Sequence, residues 1–199
     1  MSRPTKSEVA EQNRFLLREQ SRFRSAADAV ARVLSDLVEV QRIALFGSCA
    51  RPLAMEVPRF SSYRRYGIEV LHECKDVDLA VWVDHTDRLK EFQRARSKAL
   101  AALLAARDIG VAHHQVDMFL LSAADGRYLG RLCWYGTCPK DGKMECRVDG
   151  CGASPFLKQH EDFEFHANAT APDRSVKLYE RGRGIIAKAA DLPPQDVPS

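Results

Sequence analysis

The chain has 199 residues, 45% of them hydrophobic and 29% charged, with a formal charge of +3. That is the size of one ordinary domain, or of one domain with a small appendage, and enough apolar material for a core. It excludes a helical membrane protein, since no apolar run approaches the roughly 18 residues of a span, and a charge this small does not by itself announce a nucleic-acid binder. Residues 1–11 are polar and lack the apolar centre of a secretory signal. A cytoplasmic location with reduced thiols and no membrane partner is therefore expected.

Residues from about Ser7 to Val40 read as helical. Phe15, Leu16 and Leu17 begin an apolar face that Ala26, Ala27, Val30, Val33, Leu34, Leu37 and Val38 continue at three- and four-residue intervals. A break between Ser21 and Ser25 would divide it into two helices. Arg42 to Phe46 is a short apolar run stopped by Gly47, the pattern of a central strand. Arg51 to Tyr66 is irregular, holds Pro52 and Pro58, and is rich in arginine (Arg51, Arg59, Arg64, Arg65). Gly67 to Glu73 suggests a short strand, and Asp76 to Val83 a longer one.

Asp87 to Arg107 predicts a helix with Leu89, Phe92, Ala95, Ala99, Leu100 and Leu103 on one side, and Gly110 is a plausible C-cap. His114 to Leu121 reads as a third strand, containing Asp117. The order helix, strand, strand, helix, strand indicates an α+β domain: a small mixed β-sheet flanked by helices. Past Gly130 cysteines, glycines and charges take over, and from Leu192 onward the prolines mark a tail expected to be disordered. The expected division is an N-terminal helical segment (1–40), the α+β domain (41–130), a cysteine-rich appendage (131–170), and a C-terminal helix with its tail (171–199).

Two fragments carry chemistry. Leu45-Phe46-Gly47-Ser48 reads as a buried strand running into a Gly-Ser turn, and Lys75-Asp76-Val77-Asp78-Leu79 places two carboxylates at the head of the next long strand. Side chains alternate across a strand, so Asp76 and Asp78 project from one face. Paired carboxylates beside a turn with free N–H groups suit a divalent metal carrying a triphosphate.

In this order, and with Asp117 in a later strand, these residues resemble the nucleotidyltransferase superfamily of the DNA polymerase beta type, above all its minimal and antibiotic-type members. Leu-Phe-Gly-Ser-Cys-Ala-Arg is close to that family's turn, and Lys-Asp-Val-Asp-Leu stands where the family generally has Ser-Asp-Ile-Asp-Leu. The likeness runs from Arg42 to Leu121. Pro52 replaces the usual glycine after the arginine, and the connection to Asp76 is longer than in minimal members. The resemblance implies the nucleotidyltransferase fold, with Asp76, Asp78 and Asp117 as catalytic residues holding Mg²⁺ in a two-metal site. Gly47, Ser48 and Arg51 would bind the nucleotide. The activity implied is transfer of a nucleoside monophosphate from a nucleoside triphosphate such as ATP to an unidentified hydroxyl, on a small molecule, a protein or an RNA end, with release of pyrophosphate. The alternative is an antitoxin-like or regulatory protein of the same fold that binds a helical partner protein, marked by an exposed apolar face on its N-terminal helices.

Cys133, Cys138, Cys146 and Cys151 are spaced C-x4-C, seven residues, C-x4-C, among glycines that permit tight turns. Four soft ligands in a reducing compartment suggest a structural Zn²⁺ site, with His160 or His166 as substitutes for one cysteine. Cys49 and Cys74 stand apart. His113, His114 and Trp82 are expected to be structural, and the basic residues Lys177, Arg181, Arg183 and Lys188 to end a helix.

Overall fold

The computed structural model describes residues 2–59, 61–135, 137–138, 146, 151–159 and 163–194. In chain order its elements are α1 (Lys6–Leu34), β1 (Val40–Phe46), a short β2 (Met55–Glu56), α2 (Ser62–Arg65), β3 (Val70–Leu71), β4 (Val77–Val83), α3 (Leu89–Arg107), β5 (Val116–Ser122), β6 (Tyr128–Leu132), β7 (Leu157–Lys158), β8 (Val176–Glu180) and β9 (Gly184–Ile185), with single 3₁₀ turns between some of them. Seven strands form one sheet in the order β7-β6-β5-β4-β1-β8-β9, while β2 and β3 pair separately. Only β4 and β5 are parallel, joined through α3; the other pairings are antiparallel. The architecture is α+β, with a large, mostly antiparallel sheet and few helices. Among the described residues no helix is long and apolar enough to cross a membrane.

Strand alternation gives the sheet two different faces. Val77, Leu79, Val81 and Val83 of β4 point into the main core with Phe23, Ala27, Val30 and Leu34 of α1 and Phe92, Ala99 and Leu103 of α3. Both long helices therefore cover one face, where a sheet flanked by helices was expected. Ala80, Trp82, Ala44 and Leu121 face the other way, against Phe46 and Phe165.

α1 starts where Thr5 accepts a hydrogen bond from the Glu8 N–H at 3.3 Å and Glu8 accepts one from the Thr5 N–H at 2.6 Å, a reciprocal cap of the kind that satisfies two free helix donors. The helix runs unbroken through Ser21 and Ser25, because Phe23, Ala26 and Ala27 are buried there and hold it against the sheet. It stops at Leu34, short of the predicted Val40, since Val40 pairs with Val83 in the β1–β4 ladder. The predicted buried face of α3 is observed in full: Leu89, Phe92, Ala95, Ala99, Leu100 and Leu103 are all buried. The left-handed cap of α3 is Asp108 (φ 54°), whose N–H donates to Leu104, two residues before the expected Gly110.

Three expectations need correction. Strand β6 lies where no strand was predicted, because its Gly130 and Arg131 interrupt the apolar pattern. The expected C-terminal helix is the β8–β9 hairpin: Arg181 bonds the Leu37 and Val40 carbonyls at 3.0 and 2.9 Å, and Glu180 pairs with Lys177 and Arg183. Its basic residues bridge a strand and a turn, a role that helical spacing could not reveal. The segment from Leu192 to Pro194, predicted disordered, is pinned: Arg24 of α1 donates to the Leu192 and Pro193 carbonyls at 2.7 and 3.1 Å, and the Leu53 N–H donates to Pro194 at 3.1 Å. The rest of that tail, 195–199, lies outside the described residues.

Candidate metal and nucleotide site

Topology gathers three chain segments at one end of the sheet. Because β4 and β5 are parallel, their starts lie side by side, with Asp78 opposite Asp117. Because β1 is antiparallel to β4, its end arrives at the same place, with Phe46 opposite Asp78 and Gly47 just beyond. Asp76 stands two residues before Asp78 on the same face. A carboxylate oxygen from each of Asp76, Asp78 and Asp117 lies within 4.8 Å of the others, and all three side chains are partly buried. Among the described residues this is the one group of three or more metal-ligating side chains so placed. The sequence predicted all three.

The electrostatics are those of crowded anions. Asp78 is pushed up to about 7 by burial first, then by the charges of Asp76 and Asp117. Asp76 is raised too, again by burial and then by Asp117. The counter-charge is Arg131 of β6, whose guanidinium meets Asp117 at 2.7 Å and draws both other carboxyls downward. Arg131 was not singled out from the sequence, and only the β5–β6 pairing, which sets it opposite Phe119, brings it here.

The turn after β1 needs its glycine. Gly47 has φ 74° and ψ −156°, a region open essentially to glycine alone, and a Cβ at this position would sit 2.2 Å from the Asp78 carboxylate. The backbone thus touches the site directly. Ser48–Ala50 then forms a 3₁₀ turn closed by Ala50 N–H to Gly47 and Arg51 N–H to Ser48. The Ser48 and Cys49 N–H groups take no part in those two bonds.

Buried groups behind the turn hold it rigid. Arg24 donates to the carbonyls of Cys49 and Arg51 at 2.9 and 3.0 Å, and Gln20 to that of Arg51 at 2.9 Å. Cys49 and Cys74, which look isolated in sequence, meet here. The Cys49 thiol reaches the Asp76 carbonyl at 3.1 Å and hydrogen-bonds with Cys74, which Ser48 also contacts. Their shared bond and burial push Cys49 upward, while the same bond draws Cys74 down to about 7. Ser48 is thus placed at the site with its side chain already engaged. Arg51 is exposed beside it, held by its backbone.

The insert that precedes Asp76 builds a wall. β2 and β3 pair, the Leu71 N–H donates to Asn13 of α1 at 2.8 Å, and His72 meets Glu56 at 3.0 Å. Between this hairpin and α1 lies a cavity of about 610 Å³ lined in part by Leu16, Glu56, Tyr63, Glu73 and Lys75. Lys75 and Glu73 lead straight into Asp76, so one edge of the cavity lining adjoins the first carboxylate along the chain.

The other sequence candidates lie elsewhere. Trp82 is four residues along β4 from Asp78, about 13 Å at strand rise, buried under the Arg42 guanidinium at 3.6 Å. His113 and His114 lie in a turn before β5, His113 within 3.3 Å of the Ser97 hydroxyl. Cys133, Cys138 and Cys151 are buried and Cys146 partly so. Cys138 accepts from the Phe156 N–H at 3.3 Å. The four thiols do not come together as a ligand group of three or more among the described residues, so the zinc expectation gains no support there. His166 is exposed, and His160 lies outside the described residues.

No protein-family model, no curated protein and no solved structure matches this chain.

Proposed function

We propose that the chain is a metal-dependent nucleotidyltransferase that moves a nucleoside monophosphate from a nucleoside triphosphate to a hydroxyl acceptor. The observation that carries this reading is the convergence of Asp76, Asp78 and Asp117 with the glycine turn at Gly47. The donor set fits the ion: three carboxylates, oxygen ligands only, with Asp76 and Asp78 raised by burial and by their anionic neighbours. Mg²⁺ held by these residues would supply positive charge to the entering and leaving oxygens of an in-line displacement.

The chain's own groups account for the rest. The Gly47–Ser48 turn offers N–H groups and close backbone approach for phosphate oxygens, and Arg51 is exposed beside it for a charge-assisted contact. Arg131 orients Asp117 and leaves it one free oxygen. The acceptor enters from the cavity between the insert and α1, and its hydroxyl oxygen attacks the α-phosphorus. The bond from that phosphorus to the bridging oxygen breaks, pyrophosphate departs, and the hydroxyl proton passes to a carboxylate of the trio. The antitoxin-like alternative draws no support from α1, whose one exposed large hydrophobic side chain among the described residues is Phe15.

The test is incubation with each α-labelled nucleoside triphosphate, Mg²⁺ and fractionated cell extract, beside an Asp76→Asn/Asp78→Asn control. Label transfer by the unaltered protein alone supports the activity. Transfer equal in both proteins, or in neither, counts against it.

A further inference from the structure

The face of the sheet that carries the carboxylates also carries five aromatic rings. Phe46 ends β1, Phe119 lies on β5, Tyr128 on β6, and Phe163 and Phe165 belong to the segment that crosses this face. Phe119 packs against Phe46, Phe163 and Phe165 with centroids 5.3, 5.8 and 5.8 Å apart. Tyr128 packs against Phe163 and Phe165 at 5.3 and 5.5 Å. The rings begin where the carboxylates end. Phe119 is two residues from Asp117 on the same face, about 7 Å along the strand, and the Arg131 guanidinium that pairs with Asp117 lies 5.8 Å from the Phe119 ring.

Phe119 is 7% exposed, yet Phe163, stacked on it at an interplanar angle of 29°, is 41% exposed. An apolar π-surface is thus open to solvent on the ring that stacks against Phe119, two residues along β5 from Asp117. It lies on the sheet face opposite α1, the face that also carries Asp78 and Asp117. An in-line displacement sets the attacking hydroxyl opposite the departing pyrophosphate and leaves the nucleoside to the side of that axis, so a base can lie along the ring face.

We propose that Phe163, seated on Phe119 and Tyr128, is the stacking wall for the nucleobase of the nucleoside triphosphate whose phosphates the Asp76, Asp78 and Asp117 site takes. The inference rests on the nucleotidyltransferase reading and adds the group that separates a nucleotide from a bare polyphosphate. Stacking on a π-face is tolerant of base identity, so Phe163 supplies affinity for nucleotides as a class.

The experiment is calorimetric titration, with Mg²⁺ present, of the full chain with each of the four nucleoside triphosphates and with inorganic tripolyphosphate. Wild type, Phe163→Ala and Phe163→Trp are compared, after checking that all three unfold at similar temperatures. The tightest nucleotide is expected to bind wild type at least tenfold better than tripolyphosphate. Phe163→Ala is expected to weaken that nucleotide roughly 5- to 150-fold, the loss of one base stack, to leave tripolyphosphate unchanged, and Phe163→Trp to keep nucleotide affinity. If tripolyphosphate binds but Phe163→Ala leaves nucleotide affinity unchanged, or weakens both ligands alike, the stacking wall is overturned and the carboxylate site stands. If neither ligand binds wild type, both fall together.

Discussion

Replacing Asp78 by asparagine should stabilise the metal-free protein, and increasingly so as pH rises. Asp78 is lifted from an ordinary 3.8 to about 7 by burial and by its carboxylate neighbours. Between those values the folded chain holds a proton that the unfolded chain has released. Stability therefore falls as pH rises through that window, and the loss is complete above about 7. Each unit is worth about 1.4 kcal/mol, so the roughly two units between pH 5 and 7 set a ceiling near 3 kcal/mol. Partial exposure and sharing of the proton with Asp76 reduce this to about 1–2 kcal/mol. An asparagine amide cannot ionise and escapes the loss. Urea unfolding with a chelator present, followed by circular dichroism, should show the variant gaining about 1–2 kcal/mol on wild type from pH 5 to pH 8. A difference that is flat with pH, or that moves toward wild type, would refute the crowded-anion description of the site.

Gly47→Ala forces a side chain into a glycine-only backbone region and against the Asp78 carboxylate; it should cost about 1–3 kcal/mol in urea unfolding and weaken Mn²⁺ binding by displacing Asp78, whereas a variant equal to wild type in both would remove the turn from the site. Arg24→Leu leaves the carbonyls of Cys49, Arg51, Leu192 and Pro193 without this donor, so about 2–4 kcal/mol should be lost and the chain near Leu192 should become cleavable by protease; resistance equal to wild type would contradict that anchoring. Arg131→Gln removes the charge that draws Asp76 and Asp78 downward, so the midpoint of Mn²⁺ binding against pH should move to higher pH, and an unmoved midpoint would show that Arg131 does not govern the trio.

What the sequence disclosed was what depends on local pattern. The buried face of α3 can be read from its spacing, and β1, β4 and β5 from their apolar runs, the first of them stopped by Gly47. Asp76 and Asp78 share a face by strand alternation alone, and Asp117 can be added because it stands in an apolar strand. Nothing local reports pairing across the sheet, and that is where prediction stops. Arg131 reaches Asp117 only because β6 lies beside β5, and Cys49 meets Cys74 only because β1 delivers its turn to the start of β4. Arg24 reads in sequence like one more charge on a helix; its burial follows from four carbonyls, two of them from the far end of the chain. The C-terminal hairpin reads as a helix because its basic residues satisfy neighbours by strand and turn geometry, which charge spacing does not encode.

The most direct test of the central claim is Mn²⁺ binding at pH 8, followed by electron paramagnetic resonance, in wild type and in Asp78→Asn, with and without a nucleoside triphosphate. Wild type is expected to bind Mn²⁺ saturably, and more tightly once nucleotide is present, while Asp78→Asn loses the site yet remains folded. Wild type that fails to bind Mn²⁺, or a variant that binds it equally well, would contradict a metal–nucleotide site at Asp76, Asp78 and Asp117.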